Sequence, residues 1–253
     1  MDELLVVHVP LAASAGADAL AVDGMSSARV RHLLSNLCAT AAALGSRGGG
    51  GSGCAYLEVG TYKGSTLLAT LLGNRVAAAT AIDNFSEFNG PREALHANLA
   101  ALLPPAQRAQ LDFMDADAFG VDVRAMLRSA ARRSEEGSSA PAAAFAGYSL
   151  YLYDGGHSFA DHRNAFMHFD CALAGTFIAV VDDWLQPEWG AGVRGGTRAA
   201  FAELGHEVLL EVVLGGGNGG GGGGGSGSGR DREGWWNGLY VAVVRKTRTN
   251  CEA

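Results

Sequence analysis

The chain alternates between two patterns of apolar residues along most of its length. Short, nearly continuous apolar runs are typical of buried strands, and seven of them occur. Between them, apolar residues recur every three or four positions, which is the period of a helix. The runs predict strands over residues 55–59, 77–82, 111–114, 150–153, 176–181, 208–214 and 239–244. The periodic segments predict helices over residues 26–44, 65–72, 91–103, 121–133, 159–174 and 198–204.

The order of these elements indicates the fold class. Strands that alternate with helices form right-handed βαβ units and a mostly parallel sheet. Strands that are apolar nearly throughout fit a sheet covered by helices on both faces. The sequence therefore predicts an α/β fold with three layers.

Composition divides the chain into two parts. The hydrophobic fraction of 48% over 253 residues is enough for one sizeable core. Much of the glycine lies in two runs, at 48–51 and 215–229. We interpret residues 1–53 as an N-terminal extension with a helix and a glycine-rich link, and residues 54–253 as the main domain. The second run separates the last two strands, so we interpret 215–229 as an insertion in a hairpin.

Charge and cysteine content narrow the classes of partner. The formal net charge of −7 argues against a nucleic-acid backbone as a partner. The four cysteines lie far apart and form no CxxC pair, which predicts reduced thiols and no zinc site. The longest apolar stretches have strand length, well short of the roughly 20 residues that span a bilayer. The acidic start at Met1-Asp2-Glu3 resembles neither a secretory signal nor an Arg-rich transit peptide, so we expect a cytoplasmic protein without membrane contact. The oligomeric state is left open, and a homo-oligomer is one outcome.

Five successive predicted strands end in acidic residues. These residues are Glu58, Asp83, Asp117, Asp154 and the pair Asp182-Asp183. In open parallel sheets, ligands bind outside the carboxyl ends of the strands, where the strand order reverses. A single acid at a strand end is most often a helix cap or a solvated turn residue. Five in register are harder to explain in that way and predict a ligand site.

A glycine loop follows the first strand. The segment Glu58-Val59-Gly60-Thr61-Tyr62-Lys63-Gly64 leads from a strand into a helix, and its glycines permit a tight turn and a close approach of backbone. It lacks the GxGxxG of a dinucleotide site and the GxxxxGK[ST] of a P-loop. A carboxylate at position 58 would repel a pyrophosphate but can bind an ammonium group. Asp83, at the second strand end, is suited to the two hydroxyls of an adenosine ribose.

Together, ExGxxxG, Asp83 and Asp117 resemble the cofactor site of class I S-adenosylmethionine (SAM)-dependent methyltransferases. The resemblance covers residues 26–246. It implies a Rossmann-like αβα sandwich whose mostly parallel, seven-stranded sheet ends in an antiparallel C-terminal hairpin. It also implies that Glu58 and Gly60 hold the methionine end, that Asp83 binds the ribose, and that Asp117 faces the adenine amino group. Asp115 is the alternative to Asp117. The full predicted cofactor set is Glu58, Gly60, Thr61, Gly64, Ser65, Asp83, Asn84, Asp117, Ala118 and Asp154.

The later strand ends resemble those of metal-dependent O-methyltransferases of the catechol and macrocin types. By this resemblance Asp154, Asp182 and Asp183 hold Mg²⁺, although catechol-type enzymes usually have an amide where Asp183 stands. Oxygen ligands suit Mg²⁺, which lowers the pKa of a bound hydroxyl and positions it. His157 then takes the proton, which makes His157 and Asp154 the predicted catalytic residues. The alternatives are that the acidic pair caps a helix or forms a salt bridge, and that His157 caps or stacks in its loop.

Other residues and functions stay open at this stage. Trp184, Trp189, Trp235 and Trp236 form an acceptor wall or simply pack, and His162 and His168 are expected to be surface or packing residues. The leading hypothesis is O-methylation of a small-molecule hydroxyl. The alternatives are a hydroxylase- or transferase-like enzyme on the same scaffold, and a non-catalytic interaction module.

Overall fold

The computed structural model describes residues 20–47, 53–136, 145–215, 234, 235 and 237–248. Residues 1–19 and 48–52 of the predicted N-terminal part, which include its glycine run, and residues 216–229 of the insertion lie outside these residues. So do Trp236 and Cys251. No helix in the described part of the chain is long and apolar enough to cross a bilayer.

Seven strands form a single sheet in the order β3-β2-β1-β4-β5-β7-β6. Strands β1 to β5 are parallel to one another, whereas β7 runs antiparallel to both β5 and β6. This arrangement confirms the predicted mixed sheet with an antiparallel C-terminal hairpin. The strands are β1 (Cys54–Val59), β2 (Val76–Asp83), β3 (Leu111–Asp115), β4 (Tyr148–Tyr153), β5 (Leu173–Val181), β6 (Glu207–Leu214) and β7 (Leu239–Arg245).

Helices cover both faces of the sheet. They are α1 (Ala28–Arg47), α2 (Ser65–Leu71), α3 (Arg92–Leu102), α4 (Pro105–Ala109), α5 (Val123–Glu136), α6 (Phe159–Phe169) and α7 (Gly190–Leu204). Two short 3₁₀ turns, Ala118–Gly120 before α5 and Asp170–Ala172 before β5, were not predicted from the sequence. Helix α4 was not predicted either. Ser27 is the cap of α1, because its Oγ accepts a hydrogen bond from the Val30 N–H at 3.2 Å.

Alternate residues of the strands build two separate cores. Ala55, Leu57 and Val59 of β1 pack in the layer beneath α5, α6 and α7. Cys54 and Tyr56 point the other way, into the layer beneath α1, α2 and α3. This period-two division explains why the strands read as continuous apolar runs, since both of their faces are buried.

The start of α7 differs most from its predicted position. The prediction began at residue 198, but the helix begins at Gly190 and its first half carries four glycines. Glycine has a low helix propensity, so sequence pattern alone assigns this segment to a loop. The tertiary contact explains the helix: a Cβ on Gly196 would lie 2.2 Å from the Phe159 carbonyl oxygen of α6. Only glycine lets the two helix backbones approach so closely.

The boundary between α6 and β5 also differs from its prediction. The helix was predicted to run to residue 174, but it ends at Phe169 and β5 begins at Leu173. The residues between them form the 3₁₀ turn, in which Asp170 is buried. The Asp170 carboxylate lies 2.9 Å from His206 Nε2 and 3.4 Å from Lys246 Nζ. These two partners, which are distant along the chain, fix the boundary between α6 and β5, so the local sequence pattern does not predict it.

The strand order reverses beside β1, which lies between β2 and β4. The carboxyl ends of β1, β2, β4 and β5 therefore open onto one edge of the sheet, where a crevice forms between diverging loops. The acidic strand ends predicted from the sequence lie along this edge.

Candidate functional site

A cavity of about 680 Å³ lies at the carboxyl ends of the parallel strands. Its size falls within the range of small-molecule sites. Six of the ten predicted cofactor residues line it: Gly60, Asp83, Asn84, Asp117, Ala118 and Asp154. All of the predicted metal and catalytic residues line it as well: Asp154, His157, Asp182 and Asp183.

The glycine loop owes its shape to two left-handed glycines. Gly60 has φ +86°, and a Cβ there would lie 1.8 Å from the carbonyl oxygen of Asp154. Gly64 has φ +82° at the start of α2, and a Cβ there would lie 2.6 Å from a methyl carbon of Leu95. A side chain at either position requires the backbone or the core to move. The loop therefore stays close to the end of β4 and leaves the cavity open above it.

Asp83 ties this loop to the end of β2. Its Oδ2 accepts hydrogen bonds from the N–H groups of Thr61 (2.9 Å) and Tyr62 (2.7 Å), and its Oδ1 accepts one from Phe85 (2.7 Å). Each carboxylate oxygen has about two lone-pair sites. Oδ2 is therefore saturated, and Oδ1 keeps one site for a ligand hydroxyl. Asp83 thus has a structural role that the sequence did not suggest, beside the predicted ligand role.

Glu58 lies behind the loop and does not line the cavity. Its carboxylate is completely buried, and it accepts hydrogen bonds from the hydroxyls of Tyr56 (2.5 Å) and Thr66 (2.9 Å). Burial raises the pKa of Glu58 from 4.5 to about 8, despite these two hydrogen bonds. The geometry gives Glu58 the role of joining β1 to α2, and its direct contact with a methionine group stays a prediction.

The other three predicted loop residues, Thr61, Gly64 and Ser65, are not among the residues that line the cavity. Thr61 is buried, and its Oγ1 has no hydrogen-bond partner within the described chain. Ser65 Oγ lies 3.0 Å from Ser26 Oγ, which links α2 to the segment before α1. That segment places Met25 on the cavity wall. An unsatisfied buried hydroxyl beside a glycine loop is consistent with a site for a polar ligand group.

The structure separates the two candidates for adenine recognition. Asp117 lines the cavity beside Ala118, and its Oδ1 accepts a hydrogen bond from the Phe119 N–H at 2.8 Å. Asp115 does not line the cavity. Its carboxylate forms a salt bridge of 2.6 Å with Arg92 on the outer surface. Geometry therefore favours Asp117 as the residue that faces a ligand.

A second cluster occupies the opposite end of the cavity. His157 Nε2 lies 2.7 Å from Asp183 Oδ2, and the His157 ring lies against Trp189 with centroids 5.0 Å apart. One ligand atom each from Asp154, His157 and Asp183 lies within 4.8 Å of the others. Such a spacing suits coordination of one metal ion.

Asp182 stands next to this cluster. It is 7% exposed and lines the cavity, and its Oδ1 has no hydrogen-bond partner in the described chain. Burial, followed by the charge of Asp183, raises the pKa of Asp182 to about 7. Burial and the charges of Asp182 and Asp183 also raise the pKa of Asp154 well above its ordinary range. Asp154, His157 and Asp183 could therefore hold one divalent metal ion. Asp182, the remaining predicted metal ligand, lines the same cavity but is not in this closely spaced group.

The partners of Asp183 oppose the effect of its burial. Burial raises the pKa of Asp183, but hydrogen bonds from His157 and Asn237 outweigh it, so the pKa lies below its ordinary value. The hydrogen bond between His157 and Asp183 also raises the pKa of His157. The backbone of Asp183 is left-handed, with φ +55°, a conformation that is strained for a residue other than glycine. Tyr62 and Phe85, on the same cavity wall, have φ of 51° and 53°.

Local capping fixes the loop that carries His157. Ser158 is the N-cap of α6, with its Oγ accepting from the Asp161 N–H at 3.1 Å. The Asp161 carboxylate accepts in return from the Ser158 N–H at 3.0 Å. This capping box holds His157 at the entrance to the helix, directed at Asp183.

Asn237 is a site residue that the sequence analysis missed. Its side-chain amide donates to Asp183 Oδ1, and it lines the cavity. It stands in the turn before β7, eight residues after the end of the glycine-rich insertion. No periodicity or motif marks it, and only the pairing of β7 with β5 brings it to this edge.

Of the two alternatives for the tryptophans, the structure favours packing over an acceptor wall for two of the three that it describes. Trp189 does line the cavity. Trp184 is 1% exposed and stacks on Tyr240 with ring centroids 4.0 Å apart, so it belongs to the core. Trp235 packs against the second core, and Trp236 lies outside the described residues.

The two histidines of α6 are packing residues. His162 is 1% exposed and stands edge-on to Tyr153, and its pKa is lowered to about 4, mainly by burial. His168 Nε2 lies 3.2 Å from the Val121 carbonyl oxygen. Neither belongs to the cavity wall.

Comparisons with known proteins bear on the fold. No family profile matches the chain, and no curated protein matches its sequence. Among solved structures, the O-methyltransferase TomG from Streptomyces achromogenes, in complex with SAM, is 15% identical with a TM-score of 0.52, over 88% of this chain and 82% of that one. A Corynebacterium glutamicum protein is 16% identical with a TM-score of 0.53, over 90% and 85%. An O-methyltransferase from Bacillus cereus, in complex with S-adenosylhomocysteine (SAH), is 11% identical with a TM-score of 0.50, over 91% and 86%.

These likenesses show the fold. The chain has the Rossmann-like architecture of class I methyltransferases, with the strand order and the antiparallel hairpin described above. At such low identity, chemistry has to be argued from the site itself.

Proposed function

We propose that this chain is a SAM-dependent methyltransferase that acts on a hydroxyl oxygen of a small molecule, with a divalent metal ion. One observation carries the proposal. A single cavity has ribose- and adenine-type acceptors at one end, Asp83 and Asp117, and a cluster of metal-type ligands at the other.

The cofactor end is built by the glycine loop and the ends of β2 and β3. Oδ1 of Asp83 keeps an acceptor site for a ribose hydroxyl, and Asp117 faces the position proposed for the adenine amino group. Thr61 Oγ1 and the loop beneath Gly60 lie nearest to the position proposed for the methionine end. SAM supplies an activated methyl group, so the protein chiefly has to hold it in line with the acceptor oxygen.

The acceptor end is the acidic cluster. We assign Asp154, Asp182 and Asp183 to Mg²⁺, since Mg²⁺ prefers oxygen ligands and Asp182 Oδ1 has no other partner in the described chain. When bound, the ion supplies Lewis acidity that lowers the pKa of the acceptor hydroxyl. His157 directs Nε2 to Asp183, and Nδ1 then accepts the hydroxyl proton. Asp183 stabilises the imidazolium that results.

The charge of the cavity wall bears on the acceptor. Seven of the described residues that line the cavity are Asp or Glu, and no described lining residue is Lys or Arg. A phosphate ester or carboxylate would meet repulsion there, even with one divalent ion bound. We therefore propose a neutral or cationic acceptor, seated near Trp189 and His157.

Calorimetry with SAM and SAH, each with and without Mg²⁺, tests the proposal. We expect both to bind, and we expect methyl transfer from labelled SAM to neutral or cationic hydroxyl compounds to require the metal. Absence of SAM binding at high concentration contradicts the central claim. Methyl transfer that survives a chelator unchanged contradicts the metal assignment and leaves the cofactor assignment standing.

A further inference from the structure

Among the described residues, the outer hairpin strand, β6, forms an uncovered edge of the sheet. Of the described strands it pairs with β7 alone, and its residues 207–213 are all exposed to solvent. Five of its side chains are large and apolar, with exposures from 37% to 60%: Val208, Leu209, Leu210, Val212 and Val213. Unpaired backbone groups next to apolar side chains are a template for another strand.

The opposite edge of the same sheet shows how this protein protects an edge. Strand β3 has only five residues and carries Asp112 and Asp115. Its central aromatic residue, Phe113, is covered by Phe85 and His96, with ring centroids within 5.8 Å. A short, charged and covered strand resists pairing. Strand β6 has eight residues and carries no lysine or proline. It carries two acids, as β3 does, but it is longer and its large apolar side chains are exposed.

The two acids of β6 are already paired within the chain. Glu207 forms a salt bridge with Arg245 of β7 at 2.5 Å. Glu211 accepts a hydrogen bond from the Tyr240 hydroxyl at 2.8 Å and lies 3.9 Å from Arg198. The edge therefore presents little unbalanced charge, which favours an apolar and self-complementary partner over a charged one.

We propose that β6 pairs with β6 of a second copy of this chain, antiparallel across a two-fold axis at Val212. A bulge between Val208 and Leu210 limits the regular strand to residues 210–214. With Val212 on the axis, Leu210 faces Leu214 of the second copy, and Glu211 faces Val213. The register avoids placing Glu211 opposite its own copy, which would cost free energy through like-charge repulsion. Such an interface is isologous and closes at a dimer.

The dimer also accounts for one uncovered face of the hairpin. In the β6–β7 register, Leu210 and Val212 stand opposite Val243 and Val241. These four side chains form an apolar ridge on the same face as α1. Pairing through β6 makes the two ridges continuous and removes part of each from water.

Sedimentation of the full chain over a range of concentrations tests the proposal. We expect a dimer for the wild type and a monomer for Val212→Lys, which places two ammonium groups at the axis. Val208→Lys is the matched control, because it makes the same change in the same strand outside the paired segment, and it should remain dimeric. Circular dichroism of both variants checks that they fold.

Cross-linking provides a second readout that does not depend on the stability of a variant. Val212→Cys should be joined to its copy by a short bis-maleimide, whereas Val208→Cys should react far less. A wild type that is monomeric at every concentration overturns the proposal. This remains so if slow hydrogen exchange of the β6 amides in that monomer shows that another segment of the same chain covers the strand. Equal cross-linking at both positions also overturns it.

Discussion

Asp83 shows how one side chain serves both structure and binding. Three backbone N–H groups occupy three of its acceptor sites, and one site on Oδ1 faces the cavity. Because charge-assisted hydrogen bonds are stronger than neutral ones, removing the carboxylate loosens the loop and deletes a ligand contact together. Asp115, one strand away, has an exposed carboxylate with neither role.

We expect Asp83→Ala to weaken SAH binding by roughly 10- to 100-fold, which corresponds to about 1.4–2.8 kcal/mol. Asp115→Ala is the control and should leave the affinity unchanged. Isothermal titration calorimetry measures both. An Asp83→Ala variant that binds SAH as well as the wild type would contradict the proposed cofactor site.

Glu58 makes a prediction about pH. Its pKa is raised from 4.5 to about 8 in the fold, so the native state keeps a proton that the unfolded chain releases. Stability contributed by this group is therefore fully present below about pH 4.5 and is lost as pH rises toward about 8. Glu58→Gln cannot ionise, and we expect its free energy of unfolding to fall less over this interval. Urea denaturation at several pH values gives the difference, and parallel curves would show that Glu58 titrates normally.

At the scale of elements, close helix packing overrides local propensity. Helix α7 begins in a glycine-rich segment because α6 lies against it, with Gly196 and Gly195 at the contact. A Cβ at Gly196 meets backbone at 2.2 Å, whereas a Cβ at Gly195 meets only the ring of Phe159 at 3.1 Å. Backbone cannot yield as a side chain can, so the two positions differ although they are neighbours in one helix.

This pair gives a matched test of the packing argument. We expect Gly196→Ala to destabilise the protein by about 1–3 kcal/mol through overpacking. Gly195→Ala should be nearly neutral, or stabilising by up to about 1 kcal/mol through helix propensity. Denaturant unfolding measures both, and equal effects at the two positions would refute the proposed backbone contact.

At the scale of the whole molecule, the sheet brings two chemically different ends into one cavity. The cofactor end comes from β1, β2 and β3, and the acceptor end from β4, β5 and the turn before β7. Apart from Asp154, which belongs to both predicted sets, the two groups of ligands come from different strands, so we expect a substitution in one group to act on one ligand.

We therefore expect opposite effects from two matched substitutions. Asp183→Asn should abolish binding of Mn²⁺, a spectroscopic substitute for Mg²⁺, and leave SAH affinity intact. Asp117→Asn should weaken SAH binding and leave Mn²⁺ binding intact. Electron paramagnetic resonance follows the metal and calorimetry follows SAH. Loss of both ligands in either variant would show that the ends are not independent.

Much of the sheet and half of the site follow from sequence because their signals are local. Continuous apolar runs mark strands buried on both faces, and an acid after each run marks the carboxyl edge. The glycine loop is readable because its two left-handed positions require glycine. Three residues that line the cavity, Gly60, Asp83 and Asp117, were predicted from these signals.

Other features depend on partners that are distant along the chain. The sequence alone indicated the alternation of strands and helices, the mostly parallel sheet and the acids at its edge, since periodicity and backbone conformation are properties of neighbouring residues. Only the tertiary structure decided that Glu58 turns away from the cavity, that Trp184 belongs to the core, that α7 starts at Gly190 and that Asn237 reaches Asp183. Each of these depends on packing or hydrogen bonding between segments that fold together from far apart, and that information is not contained in any local pattern.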